Sequence, residues 1–262
     1  MLSINLKGKV AIVTGVSNGI GAGVAKVLAQ AGCHVAGCAR TQESDPKIEG
    51  FKKSILENDT QVFYDVVDVT NKNQLREFVE KTAQKFGKID IVISNAGANM
   101  FKGAEKCTDD EWSANHELNL ASHWQLAKAA KPWLEKSRQG VFIVMTSNHA
   151  YSSIKGCFPY NVTKTALTGL VRAMAIEWGP TIRVLGIAPG YIDTPGNDEY
   201  IQSHDDPTIE RERIIKLHPV GKLGTAEEIG GWCAFLSSKY SAFATGVTYL
   251  IDGGRSAIMQ DS

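Results

Sequence analysis

Tyr160 and Lys164 lie four residues apart. If a helix begins near Tyr160, that spacing stacks both side chains on one face. An ammonium beside a phenol favours the phenolate and lowers its pKa. Bringing a tyrosine from about 10 to near 7 needs roughly 4 kcal/mol. A partly desolvated ammonium, helped by a cationic cofactor ring, could supply that and leave a base working at neutral pH. Ser147, thirteen residues earlier, could hold the same substrate oxygen or simply cap a turn. The bare pair is also what an ordinary surface helix carries, worth roughly a few tenths of a kcal/mol. The elements that position it must decide.

The first such element is a phosphate turn. An apolar run from Lys9 to Thr14 leads into Gly15-Val16-Ser17-Asn18-Gly19-Ile20-Gly21, and a helical pattern follows until Gly32. Strand, glycine turn and helix together present backbone N–H groups to a phosphate, and glycine permits the tight turn and close approach. The spacing is Gly-x-x-x-Gly-x-Gly, not the usual Gly-x-Gly-x-x-Gly. A turn using glycine for geometry alone is the alternative; the flanking strand and helix favour a dinucleotide. Contacts are expected from Gly15, Ser17, Asn18, Gly19, Ile20 and Gly21.

His34 to Ala39 reads as the second strand. A carboxylate at its end would bind the ribose 2′-hydroxyl of NAD. Ala39 stands there, followed by Arg40 and Thr41. Nothing repels a 2′-phosphate, and a guanidinium can receive one. NADP is therefore favoured over NAD by roughly 10- to 150-fold, unless Arg40 lies over the adenine instead. Glu43 is too far into the loop to replace the missing carboxylate.

Further strands are expected at Gln61 to Val66, Lys88 to Ile93, Val141 to Thr146, Ile182 to Ile187 and Val247 to Ile251, with helices at Lys72 to Phe86, Glu111 to Lys136 (or two in line) and Ala226 to Leu236. Asp68, with Val69 beside it, could face the adenine, and Ser94-Asn95-Ala96-Gly97 follows the fourth strand. Trp112, Leu118, Leu120, Trp124, Leu126 and Trp133 read as core or subunit contact. Repeated βα alternation implies an α/β fold, a doubly wound, Rossmann-like parallel sheet with helices on both faces. The whole chain, 1–262, reads as a single dinucleotide-binding oxidoreductase domain. Its polar excursion at about 191–217 is expected to be a substrate lid.

Composition narrows the classes. Lysine plus arginine and aspartate plus glutamate number 28 each, which gives no surface for nucleic acid. Five scattered cysteines without metal-ligand spacing read as reduced thiols in a cytoplasmic protein, with no metal site. Met1 to Lys7 carries no apolar signal core, and no apolar run approaches membrane-spanning length.

Taken together, Thr14-Gly15-x-x-x-Gly19-x-Gly21, Asp68, Asn95-Ala96-Gly97, Asn119, Ser147, Tyr160-x-x-x-Lys164 and Pro189-Gly190 with Thr194 resemble the classical short-chain dehydrogenase/reductase family over essentially the full length. Ser94 stands where an asparagine is more usual. The resemblance implies that Tyr160 is the acid/base, that Lys164 lowers its pKa and holds the nicotinamide ribose, and that Ser147 positions the substrate oxygen. It further implies that Asn119 keeps a helix kink and an ordered water. Thr194 would hold the carboxamide, Asn95 to Gly97 would lie along the cofactor, and Pro189, Gly190 and Ile192 complete its site. Dimers or tetramers built through long helices are implied as well, with Leu167 to Trp178 and the last strand suited to the contact. Residues 255–262 could reach a neighbouring subunit or fray.

For substrate, the loops expected round the pocket offer Asn99, Met100, Asn148, His149, Tyr151, Tyr191, Asp193, Asn197 and Asp198. Asn99, Ser147, His149, Tyr160 and Tyr191 are the substrate candidates. Such hydrogen-bonding groups suit a small polyhydroxylated molecule: a sugar, polyol or sugar-derived keto acid. A 3-oxoacyl-thioester reductase would need a basic pocket mouth, for which Lys155, Arg211 and Arg213 are the candidates. A regulatory protein that binds cofactor without turnover is the reading from another class; intact Ser147, Tyr160 and Lys164 argue against it.

Overall fold

The computed structural model describes residues 3–259; residues 1–2 of the N-terminal reading and 260–262 of the tail lie outside them. Seven parallel strands form one sheet: β1 (Val10–Thr14), β2 (His34–Ala39), β3 (Val62–Val66), β4 (Ile91–Ser94), β5 (Gly140–Met145), β6 (Ile182–Pro189) and β7 (Thr248–Ile251). Their order across the sheet is β3-β2-β1-β4-β5-β6-β7. Winding therefore reverses between β1 and β4, opening a crevice at the strands' carboxyl ends. The expected Rossmann-like architecture is the one observed.

Alternating side chains divide the core. Val13 and Ile143 point to one face, where they pack with Val24, Leu28, Phe51 and Ile229. Ile12, Phe142 and Val144 point to the other, against Phe78, Leu126, Leu167 and Val171. The first face is covered by α1 (Gly19–Gln30), α2 (Pro46–Leu56) and α9 (Ala226–Leu236); the second by α3 (Lys72–Phe86), α5 (Ser122–Lys136) and α6 (Tyr160–Trp178).

Three features add detail to the sequence expectation. The helix α2 is additional: Asp45 accepts from the Lys47 N–H, Pro46 opens the first turn, and Ile48, Phe51 and Ile55 form the buried stripe. The long helical stretch takes the two-in-line form, with a π-turn at the join. An α-helix, α4 (Asp109–His116), passes into a π-helical turn at Glu117–Ala121 before α5 resumes. Of the residues read there as core or subunit contact, Leu126 is buried in the core, whereas Trp112 and Trp124 are exposed.

The excursion at 191–217 also has structure of its own. Two helices, α7 (Pro195–Gln202) and α8 (Pro207–Lys216), start from Thr194 and Asp206, whose side chains accept backbone N–H groups. Ile201, Ile214 and Leu223 form a small separate apolar cluster. The apolar positions are too few to register as a core pattern, and the caps supply the missing signal. No helix among the described residues is long and apolar enough to cross a membrane.

Candidate active site

Tyr160 opens α6 directly after β5 and the loop carrying Ser147. Tyr160, Lys164 and Ser147 are all buried. The Lys164 ammonium sits 5.4 Å from the Tyr160 ring centroid and donates to the Met145 carbonyl at 3.0 Å. Thr146 Oγ1 donates to the Lys164 carbonyl at 2.7 Å, pinning α6 to the end of β5. Ser147 caps the turn that follows β5: its Oγ accepts the His149 N–H at 3.2 Å and donates to Asn148 Oδ1 at 3.4 Å.

The electrostatics depart from the expected lowering of the phenol. Burial pushes Tyr160 up to about 12, opposed by the neighbouring Ser147 hydroxyl. Burial likewise lowers Lys164 to about 8. Desolvation disfavours both charged forms and outweighs the attraction the pair would have as ions. Without a further positive charge, the resting pair is a phenol and a readily deprotonated amine.

Asn119 sits inside the π-turn and is fully buried. Its amide Nδ2 donates to the Ala98 carbonyl and its Oδ1 accepts the Ala98 N–H, both at 3.0 Å. The extra residue of the π-turn turns this side chain out of the helix to clamp the segment after β4. Asn115, which the sequence reading passed over, extends the clamp. It accepts from Asn119 Nδ2 at 2.8 Å and donates to the Pro159 carbonyl at 3.2 Å and to Thr163 Oγ1 at 3.3 Å. Its i−4 spacing from Asn119 was the available signal. Phe101 was also missed; its ring stands 5.3 Å from Tyr160 and 5.5 Å from His149.

Ser94 bonds the fully buried His123 at 2.7 Å between Oγ and Nδ1. Burial, with the Lys164 charge nearby, lowers His123 to about 3. The departure from asparagine at Ser94 is thus matched by a neutral imidazole beneath the site.

The glycine turn is shaped for a pyrophosphate. Gly15 and Gly19 have φ +77° and +59°, and a Cβ on Gly21 would stand 2.1 Å from the Gly15 carbonyl oxygen. Asn18 makes no side-chain cap on α1, and no acidic residue occupies its first turn. The orphan N–H groups there, together with the helix dipole, suit an anion. Thr14 Oγ1 accepts the N–H groups of Asn95 and Ala96, each at 3.0 Å, and Asn95 Nδ2 donates to the Thr14 carbonyl at 2.9 Å. Gly97 lies between Asn119 and Lys164, where a Cβ would stand 2.7 Å from Asn119 Oδ1. Ser17 and Ile20 flank the turn, partly exposed. These features fit a dinucleotide.

Other expected cofactor contacts are placed less directly. Asp68 is occupied by Thr70, accepting its N–H at 2.9 Å and its hydroxyl at 2.7 Å; these bonds and the Arg40 charge lower its pKa. Val69 and Ile192 bury their side chains in the two cores, leaving only backbone for a ligand. Arg40 is exposed at the end of β2, and the Thr41 carbonyl accepts the Tyr64 hydroxyl at 2.6 Å. Glu43 pairs with Lys52, so it does not take the missing carboxylate's place. Pro189 ends β6 and Gly190 lies against Asp252. Thr194 caps α7, and its methyl would stand 3.5 Å from a Cβ on Gly19.

Many of the polar groups counted towards the substrate bond one another. Tyr191 donates to the Asn197 carbonyl at 3.0 Å, and Asn197 Nδ2 to the Ile192 carbonyl at 2.8 Å. Asp193 and Asp198 pair with Arg211, and the Tyr151 hydroxyl donates to the Thr248 carbonyl at 3.2 Å. His149 is different. Its Nδ1 is buried without a partner, and its ring stands 6.1 Å from Tyr160. Asn99 is exposed.

The chain is similar to known proteins over nearly its full length. A family model described as enoyl-(acyl carrier protein) reductase matches residues 15–256. Dehydrogenase/reductase SDR family member 4 of Caenorhabditis elegans is 35% identical over 251 residues, 95% of each chain. A probable NADP-dependent mannitol dehydrogenase of Yarrowia lipolytica is 34% identical over 260 residues, covering 97% of this chain and 90% of that protein. The solved aldohexose dehydrogenase of Thermoplasma acidophilum superposes with a TM-score of 0.89 at 26% identity, covering 98% of this chain and 97% of that one.

Proposed function

The chain belongs to the short-chain dehydrogenase/reductase family and is an NAD(P)-linked oxidoreductase, and we propose that it interconverts an alcohol and a carbonyl on a small polyhydroxylated substrate, a sugar, polyol or sugar-derived keto acid, with NADP preferred. The bound dinucleotide supplies or accepts the hydride. Gly15 to Gly21, Asn95 to Gly97 and Thr194 would hold it. In reduction, Tyr160 gives its phenolic proton to the substrate oxygen, and a phenol kept protonated by burial is the right form for that step. In oxidation the same atom takes the proton back, and the cations of Lys164 and of the oxidised cofactor favour the phenolate. Ser147 donates to the same oxygen, while Asn119 and Asn115 hold the wall and the start of α6.

The observation carrying the substrate reading is the unpartnered His149 Nδ1 beside Tyr160, which a substrate hydroxyl would satisfy. The mannitol and aldohexose enzymes to which this chain is similar support it. Arg40, with Glu43 committed to Lys52, supports NADP. The thioester alternative has the family model's description in its favour, but Arg211 and Arg213 are neutralised by Asp193, Asp198 and Glu210, leaving Lys155 of the expected basic mouth. The excursion at 191–217 acts as the lid of a single domain. Trp232, Phe235, Phe243 and Leu250, exposed around α9 and β7, support a dimer or tetramer, and five free thiols support the cytoplasm.

The test is turnover with NADP(H) and NAD(H) across sugars, polyols, sugar acids, simple ketones and 3-oxoacyl thioesters. Turnover of hydroxylated compounds is expected, falling roughly 10²- to 10⁴-fold in Tyr160→Phe with cofactor affinity retained. Activity confined to hydrophobic ketones or thioesters would overturn the substrate reading.

A further inference from the structure

The chain after β4 is fastened at both ends of a short run. Ala98 is held by Asn119 through two hydrogen bonds of 3.0 Å. Lys102 and Gly103 both donate their N–H groups to the Phe158 carbonyl, at 2.8 and 3.0 Å, and the Lys102 ammonium pairs with Glu111 of α4 at 2.8 Å. Between these fastenings Phe101 forms an antiparallel bridge with Pro159, the residue that precedes Tyr160. Phe158 is itself fixed by stacking on Trp112, with ring centroids 5.3 Å apart and 19° between the planes. A backbone tied in this way gives the Phe101 side chain one place to stand.

That place is beside Tyr160. The Phe101 ring lies 5.3 Å from the Tyr160 ring and 5.5 Å from the His149 ring, inclined at 61° and 84° to them. Neither neighbour lies flat on it, and Phe101 remains 42% exposed whereas Tyr160 is buried. Phe101 also belongs to neither core cluster of the sheet. A single exposed aromatic residue on an outer surface needs no explanation. One anchored next to the group that handles the proton does, because anchoring costs conformational entropy and the ring gains no core burial in return.

We propose that Phe101 is a specificity residue on which a C–H face of the substrate packs, so that the enzyme acts on a ring-shaped hydroxylated compound, a pyranose or a cyclitol, in preference to an open-chain polyol. This inference rests on the polyhydroxylated-substrate reading of the site. A chair whose hydroxyls are mostly equatorial collects its axial C–H bonds on its two faces and sends the hydroxyls outward. One side of the molecule is therefore apolar while its rim is polar. An aromatic ring receives such C–H groups through dispersion and the negative charge of its face, leaving the rim to Tyr160 and its polar neighbours. An open chain presents hydroxyls on every side and gives up more rotational freedom to lie flat. The contact makes and breaks no bond; it orients the ring while hydride and proton move at one rim carbon. A plain cover over the phenol is the competing role, and it would treat both substrate classes alike.

The test compares kcat/KM for glucose and myo-inositol with that for glucitol and mannitol, in wild type, Phe101→Ala, Phe101→Leu and Phe101→Tyr. NADP(H) affinity and thermal unfolding, measured in each, check folding. Wild type is expected to favour a ring compound: glucose if the anomeric carbon reacts, inositol if another ring carbon does. The ring-to-open-chain ratio should fall roughly 3- to 10-fold in Phe101→Ala. It should fall less in Phe101→Leu, which keeps apolar volume without a flat face, and persist in Phe101→Tyr. A ratio unmoved in Phe101→Ala overturns the inference and leaves the proposed function standing, as does a wild-type preference for the open chains. An equal loss on both classes also overturns it and makes Phe101 a cover over the phenol. Turnover of hydrophobic ketones or thioesters alone removes the proposed function, and this inference with it.

Discussion

The glycine turn and the 191–217 excursion meet where Thr194 approaches Gly19, yet they treat their polar groups in opposite ways. At the start of α1, backbone N–H groups go uncapped and no acidic side chain intrudes. In the excursion, Tyr191, Asn197, Asp193 and Asp198 are bonded within the protein. The first region keeps unmet hydrogen-bonding capacity for a ligand; the second uses its own to hold a shape. Recognition is therefore read from groups left without partners, and a count of polar residue types overstates it.

Four substitutions press on that contrast, beyond the loss of turnover expected for Tyr160→Phe. Arg40→Gln should reduce the NADP-to-NAD ratio of kcat/KM roughly 10- to 150-fold, measured with one substrate and both cofactors; an unchanged ratio would place Arg40 over the adenine. Gly21→Ala puts a methyl into the Gly15 carbonyl. It should cost about 1–3 kcal/mol in denaturant unfolding and weaken cofactor binding in titrations. An unaffected variant would show that the turn is looser than its contacts require.

Lys164→Met should remove activity while stabilising the cofactor-free protein by about 2 kcal/mol at pH 7. Lys164 has a folded pKa of about 8 against an ordinary 10.5, so the folded state binds fewer protons between those values. Its burial penalty is thus full below about 8 and fades as pH rises towards 10.5, and the gain in the variant should fade with it. A gain independent of pH would mean that packing, not charge, is responsible. The smallest effect is expected at Arg211→Gln. Its pairs with Asp193 and Asp198 are partly exposed, so stability should change by about 1 kcal/mol or less, as thermal unfolding would show.

The same contrast explains how much the sequence discloses. Strand, turn and helix from Lys9 to Gly32 are legible because glycine spacing and apolar period admit few other structures. The four-residue interval from Tyr160 to Lys164 is legible for the same reason. Asn115 was not, because its partners, Pro159 and Thr163, lie 44 and 48 residues away. The π-turn that aims Asn119 has no composition of its own. The depth at which the phenol and the ammonium are buried, set by the packing of α6 on β5, is not legible in their spacing.

The clamp of Asn115 and Asn119 carries a kinetic consequence. Its bonds join Ala98 to Asn119 across 21 residues and α4 to the start of α6 across 44, whereas the β1–α1–β2 unit closes over short stretches of chain. Loop-closure entropy must be met before such distant pairings repay it. During synthesis the glycine turn can thus organise well before Tyr160 has a fixed place. Full dinucleotide affinity, which also needs Lys164 and Thr194, would then appear as late in folding as turnover.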